Sequence, residues 1–171
     1  MSAPASKKNR PARTPAPALP GMEALDQTHH QMMGVLTDLS QLLELLDREG
    51  VTPAARESAK AICAFFDAHA RQHHADEERL IFPGLLRSDD AELVQHVQRL
   101  QQDHGWLEED WIELEPQLKA VSEGYSWYDL DSLRHGVGIF TELYHDHIAL
   151  EESLIYPEAK RRRQQLADGA A

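Results

Sequence analysis

The chain is poor in cysteine: Cys63 stands alone among 171 residues. A single thiol excludes an intrachain disulfide and any metal site built from several thiolates. It is expected to be a small core residue rather than a nucleophile. Long apolar runs are also missing, and no stretch approaches the ~20 residues needed to span a bilayer. The N-terminus lacks the hydrophobic segment of a signal peptide, so a cytoplasmic protein with no membrane partner is expected. Positive charge is short, with 17 Lys and Arg against 29 Asp and Glu and a net charge of −12. That balance argues against nucleic acid as a partner for the folded part. No segment alternates apolar and polar residues over a useful length, which leaves no strand signal. Histidine is what the chain has in quantity: ten residues.

Residues 1–21 differ from the rest. Five prolines fall within the first 20 positions, with Lys7, Lys8, Arg10 and Arg13 and no acid. This composition reads as a disordered Pro/Ala-rich basic tail that could act as a tether. Residues 22–163 read as the folded domain and 164–171 as a flexible C-terminus. The basic run Lys160 to Arg163 falls where the last helix is expected to end, and would complement the helix dipole there.

Apolar residues recur at spacings of three and four in four stretches. The first is Met22, Leu25, His29, Met32, Leu36, Leu39, Leu43 and Leu46; the second is Ile62, Phe66, His69, His73, Glu77 and Leu80. The third runs Leu93, Val97, Leu100, His104, Leu107, Trp111, Leu114, Leu118 and Val121. The fourth runs Leu133, Val137, Phe140, Tyr144, His147, Glu151 and Leu154. Breaks fall at Gly50-Val51-Thr52-Pro53, at Pro83-Gly84 with Ser88-Asp89-Asp90, and between Gly124 and Asp131. Four amphipathic helices with short connections predict an all-α, antiparallel up-down-up-down four-helix bundle. Pro116 predicts a kink or early end in the third helix.

A repeat cuts across this pattern. His73-His-Ala-Asp-Glu-Glu-Arg-Leu-Ile-Phe-Pro83 returns as His147-Ile-Ala-Leu-Glu-Glu-Ser-Leu-Ile-Tyr-Pro157, with seven of eleven positions identical. Leu25-x-Gln27-x-His29 likewise aligns with Leu100-x-Gln102-x-His104. Each half reads as a pseudo-repeated helical hairpin, bringing one His from its first helix and His-x3-Glu from its second. Residues four apart on a helix share a face, so four His and two Glu would converge at one level of the core. Buried carboxylates without partners are very unfavourable. Imidazole and carboxylate donors without thiolate suit iron, manganese or zinc, and two divalent ions can share carboxylates.

The segments Asp26-Gln-Thr-His29, His73-x3-Glu-Glu and His147-x3-Glu-Glu, the last two followed by Pro, resemble a bacterial hemerythrin-like (HHE cation-binding) domain over about residues 22–160. The resemblance implies a hemerythrin-like bundle around a di-iron centre, two iron ions that can share an oxo or hydroxo bridge. It implies His29, His73, His104 and His147 as terminal ligands and Glu77 and Glu151 as bridges. One departure stands out. Oxygen-carrying hemerythrins have five His, two of them one turn apart on the third helix, whereas here Leu100 and Glu108 flank His104. The missing histidine puts simple reversible O2 carriage in doubt. It favours binding or sensing of O2, NO, peroxide or iron/redox state. A small enzyme consuming peroxide or NO, or a metal-stabilised binding scaffold, are the alternative classes.

Three further residues are candidates for the metal or its surroundings: His69, one turn before His73; Glu108, four residues after His104; and Tyr144, one turn before His147. Met32, Leu100 and Leu107 would line an apolar cavity at that level. His74, Glu78 and Glu152 sit one step round from the proposed ligands and are expected to face elsewhere. His30 has Gly105 as its counterpart in the repeat and is set aside as a ligand, and His96, His135 and His145 are expected on the surface.

Overall fold

The structure, a computed structural model, describes residues 21–170. Among them all regular structure is helical. The elements are α1 (Met22–Glu49), α2 (Pro53–Ala64), a π-helical turn (Phe65–Ala70), α3 (Arg71–Leu80) and a short α4 (Phe82–Leu86). Then follow α5 (Ala91–Glu123), α6 (Leu130–Leu150), a second π-helical turn (Glu151–Ile155) and α7 (Tyr156–Gly169). The expected basic tail lies outside the described residues, apart from Gly21. Among the described residues no helix is long and apolar enough to cross a membrane.

Local chemistry sets the boundaries. Thr52 caps α2 by accepting from the Ala55 amide at 3.2 Å, and Pro53 follows where a missing amide costs nothing. Asp90 accepts from the Glu92 and Leu93 amides at the start of α5, and Asp129 from the Ser132 amide at the start of α6. Gly124 closes α5 with φ of 89°, a left-handed conformation natural to glycine. Pro116 does not end α5, which runs on to Glu123. Ile112, whose carbonyl loses its helical partner to that proline, is exposed.

α1 packs against α2 and α6, and α5 packs against the same two helices. The core falls into two apolar clusters. One contains Met32, Leu36, Phe66, Leu107, Trp111, Phe140 and Tyr144. The other contains Leu25, Ile81, Phe82, Leu100, Ile155 and Tyr156. Along α1, His29 stands between Leu25 and Met32; along α5, His104 stands between Leu100 and Leu107. A polar layer therefore divides the core. The expected cavity-lining residues flank that layer from both sides, Leu100 on one and Met32 with Leu107 on the other.

The two π turns change which residues face inward. Each holds more residues per turn than an α-helix, so the seam advances by one position. After Phe66 the buried position is Ala70, not His69, which is exposed. Beyond Glu151 the buried residues are Ile155 and Tyr156, and Leu154 is turned outward. Pro157 lacks the amide that would bond back to Ser153, which favours this opening of the helix. In the first copy Pro83 has a similar effect. α3 stops at Leu80, and Ile81 and Phe82 turn into the core.

The C-terminal segment also differs from expectation. α7 stays helical to Gly169, past the boundary placed after Arg163. The basic run is therefore inside a helix and not at its end. Lys160 meets Asp26 of α1 at 2.9 Å, and Arg163 donates to the Leu80 carbonyl at 3.2 Å.

Candidate metal centre

The polar layer is made of His29 from α1, His73 and Glu77 from α3, His104 from α5, His147 from α6 and Glu151 from the second π turn. All six are buried, and both carboxylates are fully so. Glu77 Oε1 lies 2.9 Å from His73 Nε2 and 3.6 Å from His29 Nε2; its Oε2 lies 3.1 Å from His104 Nε2. Glu151 Oε1 lies 3.0 Å from His147 Nε2 and its Oε2 3.0 Å from His29 Nε2. Two four-donor groups result: His29, His73, Glu77 and Glu151, and Glu77, His104, His147 and Glu151. Within each group the donor atoms lie within 4.8 Å of one another. The groups share both carboxylates.

The donors fit a cation better than they fit one another. His73 Nε2, His104 Nε2, His147 Nε2, Glu77 Oε2 and both Glu151 oxygens are buried and make no directed hydrogen bond. Their separations suit hydrogen bonds, but their directions do not. Lone pairs facing a common gap are what a metal ion would satisfy. Left alone, each buried ion would cost on the order of several kcal/mol.

An outer set of carboxylates holds the other face of three imidazoles. Glu152 meets His29 Nδ1 at 3.2 Å, Glu78 meets His104 Nδ1 at 2.9 Å, and Asp103 lies 3.4 Å from His147 Nδ1. Such a contact fixes the ring's tautomer and orientation, leaving Nε2 free to bind metal. Glu78 and Glu152 were expected to face elsewhere, and they do leave the layer. Each then reaches across to the first-helix histidine of the opposite half. The signal was present in the repeated Glu-Glu pair, whose second member recurs as faithfully as its first. His73 is the exception, because its Nδ1 has no partner. The repeat explains why: Asp103 corresponds to Thr28, whose hydroxyl donates instead to the Ala24 carbonyl.

Burial alone would push His29 and His147 down. For His29 the closeness of the Glu151 and Glu77 carboxylates outweighs it and raises the ring to about 9. For His147 the bond to Asp103 and the closeness of the Glu151 carboxylate raise it to about 10. Burial pushes Glu77 up, but His104, His29 and His73 together hold it well below the usual carboxylate range. Without metal, the neighbouring carboxylates therefore favour the protonated forms of His29 and His147. Cys63 is buried and its thiol is pushed up to about 12 by that burial and by Asp67 and Glu115, as befits an inert core residue.

The remaining candidates separate. His69 is exposed, stacks on Phe65 at 5.8 Å, and lines a cavity of about 110 Å³ with His73 and Thr28. Glu108 is partly exposed and forms a two-pronged ion pair with Arg71, Oε1 accepting at 2.7 Å, so its carboxylate is turned away from the layer. Tyr144 is buried beside Phe140 and Phe66, with its ring 5.9 Å from that of His74.

His74 corrects the sequence reading. Its ring lies flat on His104 at 4.1 Å, and its buried Nε2 has no partner. It joins His104 and His147 in a third group of close nitrogens. A step of 100° does not carry it to solvent, because a helix with two packed neighbours buries an arc at least that wide. The repeat gives it no counterpart, because Ile148 stands at the equivalent position, so His74 is read as sitting against the layer rather than within it. Tyr156 was missed as a site residue. Its hydroxyl donates to Glu77 Oε1 and lies 3.2 Å from His29 Nε2.

Comparison with known proteins agrees with this picture. The hemerythrin HHE cation binding domain matches residues 21–159. A protein of Haemophilus influenzae, described as uncharacterized, is 32% identical over 134 residues, which cover 78% of this chain and 75% of that protein. No solved structure matches.

Proposed function

The chain belongs to the hemerythrin HHE cation-binding family, and we propose that its layer of four His and two Glu holds a pair of iron ions. In this reading His29, His73, His104 and His147 are terminal ligands, and Glu77 and Glu151 bridge. The frame is read as an up-down-up-down antiparallel bundle of two pseudo-repeated hairpins. The observation that carries the reading is the pair of fully buried carboxylates shared by two four-donor groups, with unsatisfied oxygens turned between them.

Bound iron would supply electrons and a coordination position for O2, NO or peroxide, so the protein binds or senses one of these or reports iron and redox state. The chain's own residues prepare that chemistry. Glu78, Glu152 and Asp103 orient three of the rings. The two apolar clusters keep water from the layer on either side.

Metal analysis and spectroscopy test the proposal. Purified, iron-reconstituted protein is expected to hold about two irons per chain, with a spectrum that responds to O2, NO or peroxide. Fewer than about one per chain refutes it. His147→Ala should abolish the pair, while His74→Ala should leave most of it. Equal loss from both would overturn the ligand assignment.

A further inference from the structure

The geometry points to Tyr156 as a seventh protein ligand, its phenolate oxygen binding the metal on the His29/His73 side. The inference rests on the dimetal reading above and deepens it. Tyr156 is 1% exposed and its ring is stacked on His29 at 4.9 Å and 6°. Its oxygen lies 3.2 Å from His29 Nε2 and bonds to Glu77 Oε1, two atoms assigned to the same ion. Donors about 2.1 Å from one ion and at right angles are about 3 Å apart. The 3.2 Å from the hydroxyl to His29 Nε2 is therefore the spacing of two donors on one ion, and the bond to Glu77 Oε1 is the contact that ligation would replace.

The repeat shows that packing does not require this oxygen. Phe82 occupies the equivalent place in the first copy, fully buried, and stacks on His104 at 5.5 Å and 21°. Two aromatic platforms thus cover two histidines, and only one carries a donor. On ligation the phenol O–H bond breaks as the oxygen–metal bond forms, and the proton is lost to solvent. Tyrosinate is a known protein ligand for ferric iron, and an added anionic oxygen favours the ferric over the ferrous state. The position left for an exogenous ligand then falls on the His104/His147 side, where Phe82 offers no donor. A ferric pair of this kind suits peroxide as the ligand better than O2, which binds ferrous iron.

The test uses full-length protein loaded with iron and oxidised, comparing wild type with Tyr156→Phe and Tyr144→Phe. Phenylalanine at 156 copies the repeat, so the variant should fold, and its helical circular dichroism checks this. Wild type and Tyr144→Phe are expected to show a visible tyrosinate-to-iron charge-transfer band, with tyrosinate modes in the resonance Raman spectrum. Tyr156→Phe should lose both signals. If wild type binds two irons without the band, or Tyr156→Phe keeps it, or it vanishes with Tyr144→Phe, the inference fails while the dimetal reading stands. If wild type holds no metal pair, both fail.

Discussion

Removing the Glu78 side chain tests whether the outer carboxylates act through the imidazoles they hold. Glu78 Oε1 meets His104 Nδ1 at 2.9 Å, and its Oε2 accepts from Gln101 Nε2 at 3.1 Å. Its side chain is 39% exposed, whereas that of Glu77 is 0% exposed. Glu78→Ala should therefore leave the fold within about 1 kcal/mol of wild type, as for other exposed ion pairs. The cost should fall on metal affinity. Loss of a carboxylate that orients a ligating histidine typically weakens binding about 10- to 100-fold, or about 1.4–2.8 kcal/mol at 1.4 kcal/mol per tenfold. Glu152→Ala should behave alike through His29, although its contact is longer at 3.2 Å. Glu77→Ala, by contrast, removes a shared donor and should abolish the pair. Competition against a chromophoric chelator measures all three. If Glu78→Ala abolishes binding as Glu77→Ala does, Glu78 is itself a ligand and the register is wrong. If neither outer variant loses more than about twofold, the orienting role is refuted.

Two further outcomes follow from the same geometry. Glu108→Ala should leave the metal count and spectrum unchanged, because Glu108 is held by Arg71 outside the layer; a loss of one metal per chain would reinstate it as a ligand. In the metal-free protein, His29 at about 9 and His147 at about 10 both lie above their ordinary 6.5. Their stabilisation should be complete below pH 6.5 and lost as pH rises through 9 to 10. Glu77 acts oppositely, being held below 4.5, so its contribution is lost as pH falls into the acid range. Denaturant midpoints of the metal-free protein across that range should fall at both ends, and a flat alkaline limb would refute the coupling.

The helical seams, most of their boundaries and the six residues of the layer were legible in the sequence, whereas the reach of α7 to Gly169 was not. The reason is geometric: with 3.6 residues per turn, spacing alone puts His29, His73, Glu77, His104, His147 and Glu151 on the stripes that must be buried. The repeat chose His73 over His74 without any knowledge of packing. Spacing fails where the helix itself changes pitch. The π turn at Phe65–Ala70 carries His69 out, and the turn at Glu151–Ile155 carries Tyr156 in. A 3.6-residue period does not register that single-residue advance, although Pro157 offered a hint of it. Contacts between distant segments were equally hidden. Glu78 on His104, Glu152 on His29 and Arg71 on Glu108 join residues 26, 123 and 37 positions apart. The sequence determined which side chains meet at the layer, because periodicity sets a helix's face. Only the tertiary structure decided what holds and asymmetrically completes that layer, because those choices depend on which neighbour each face meets.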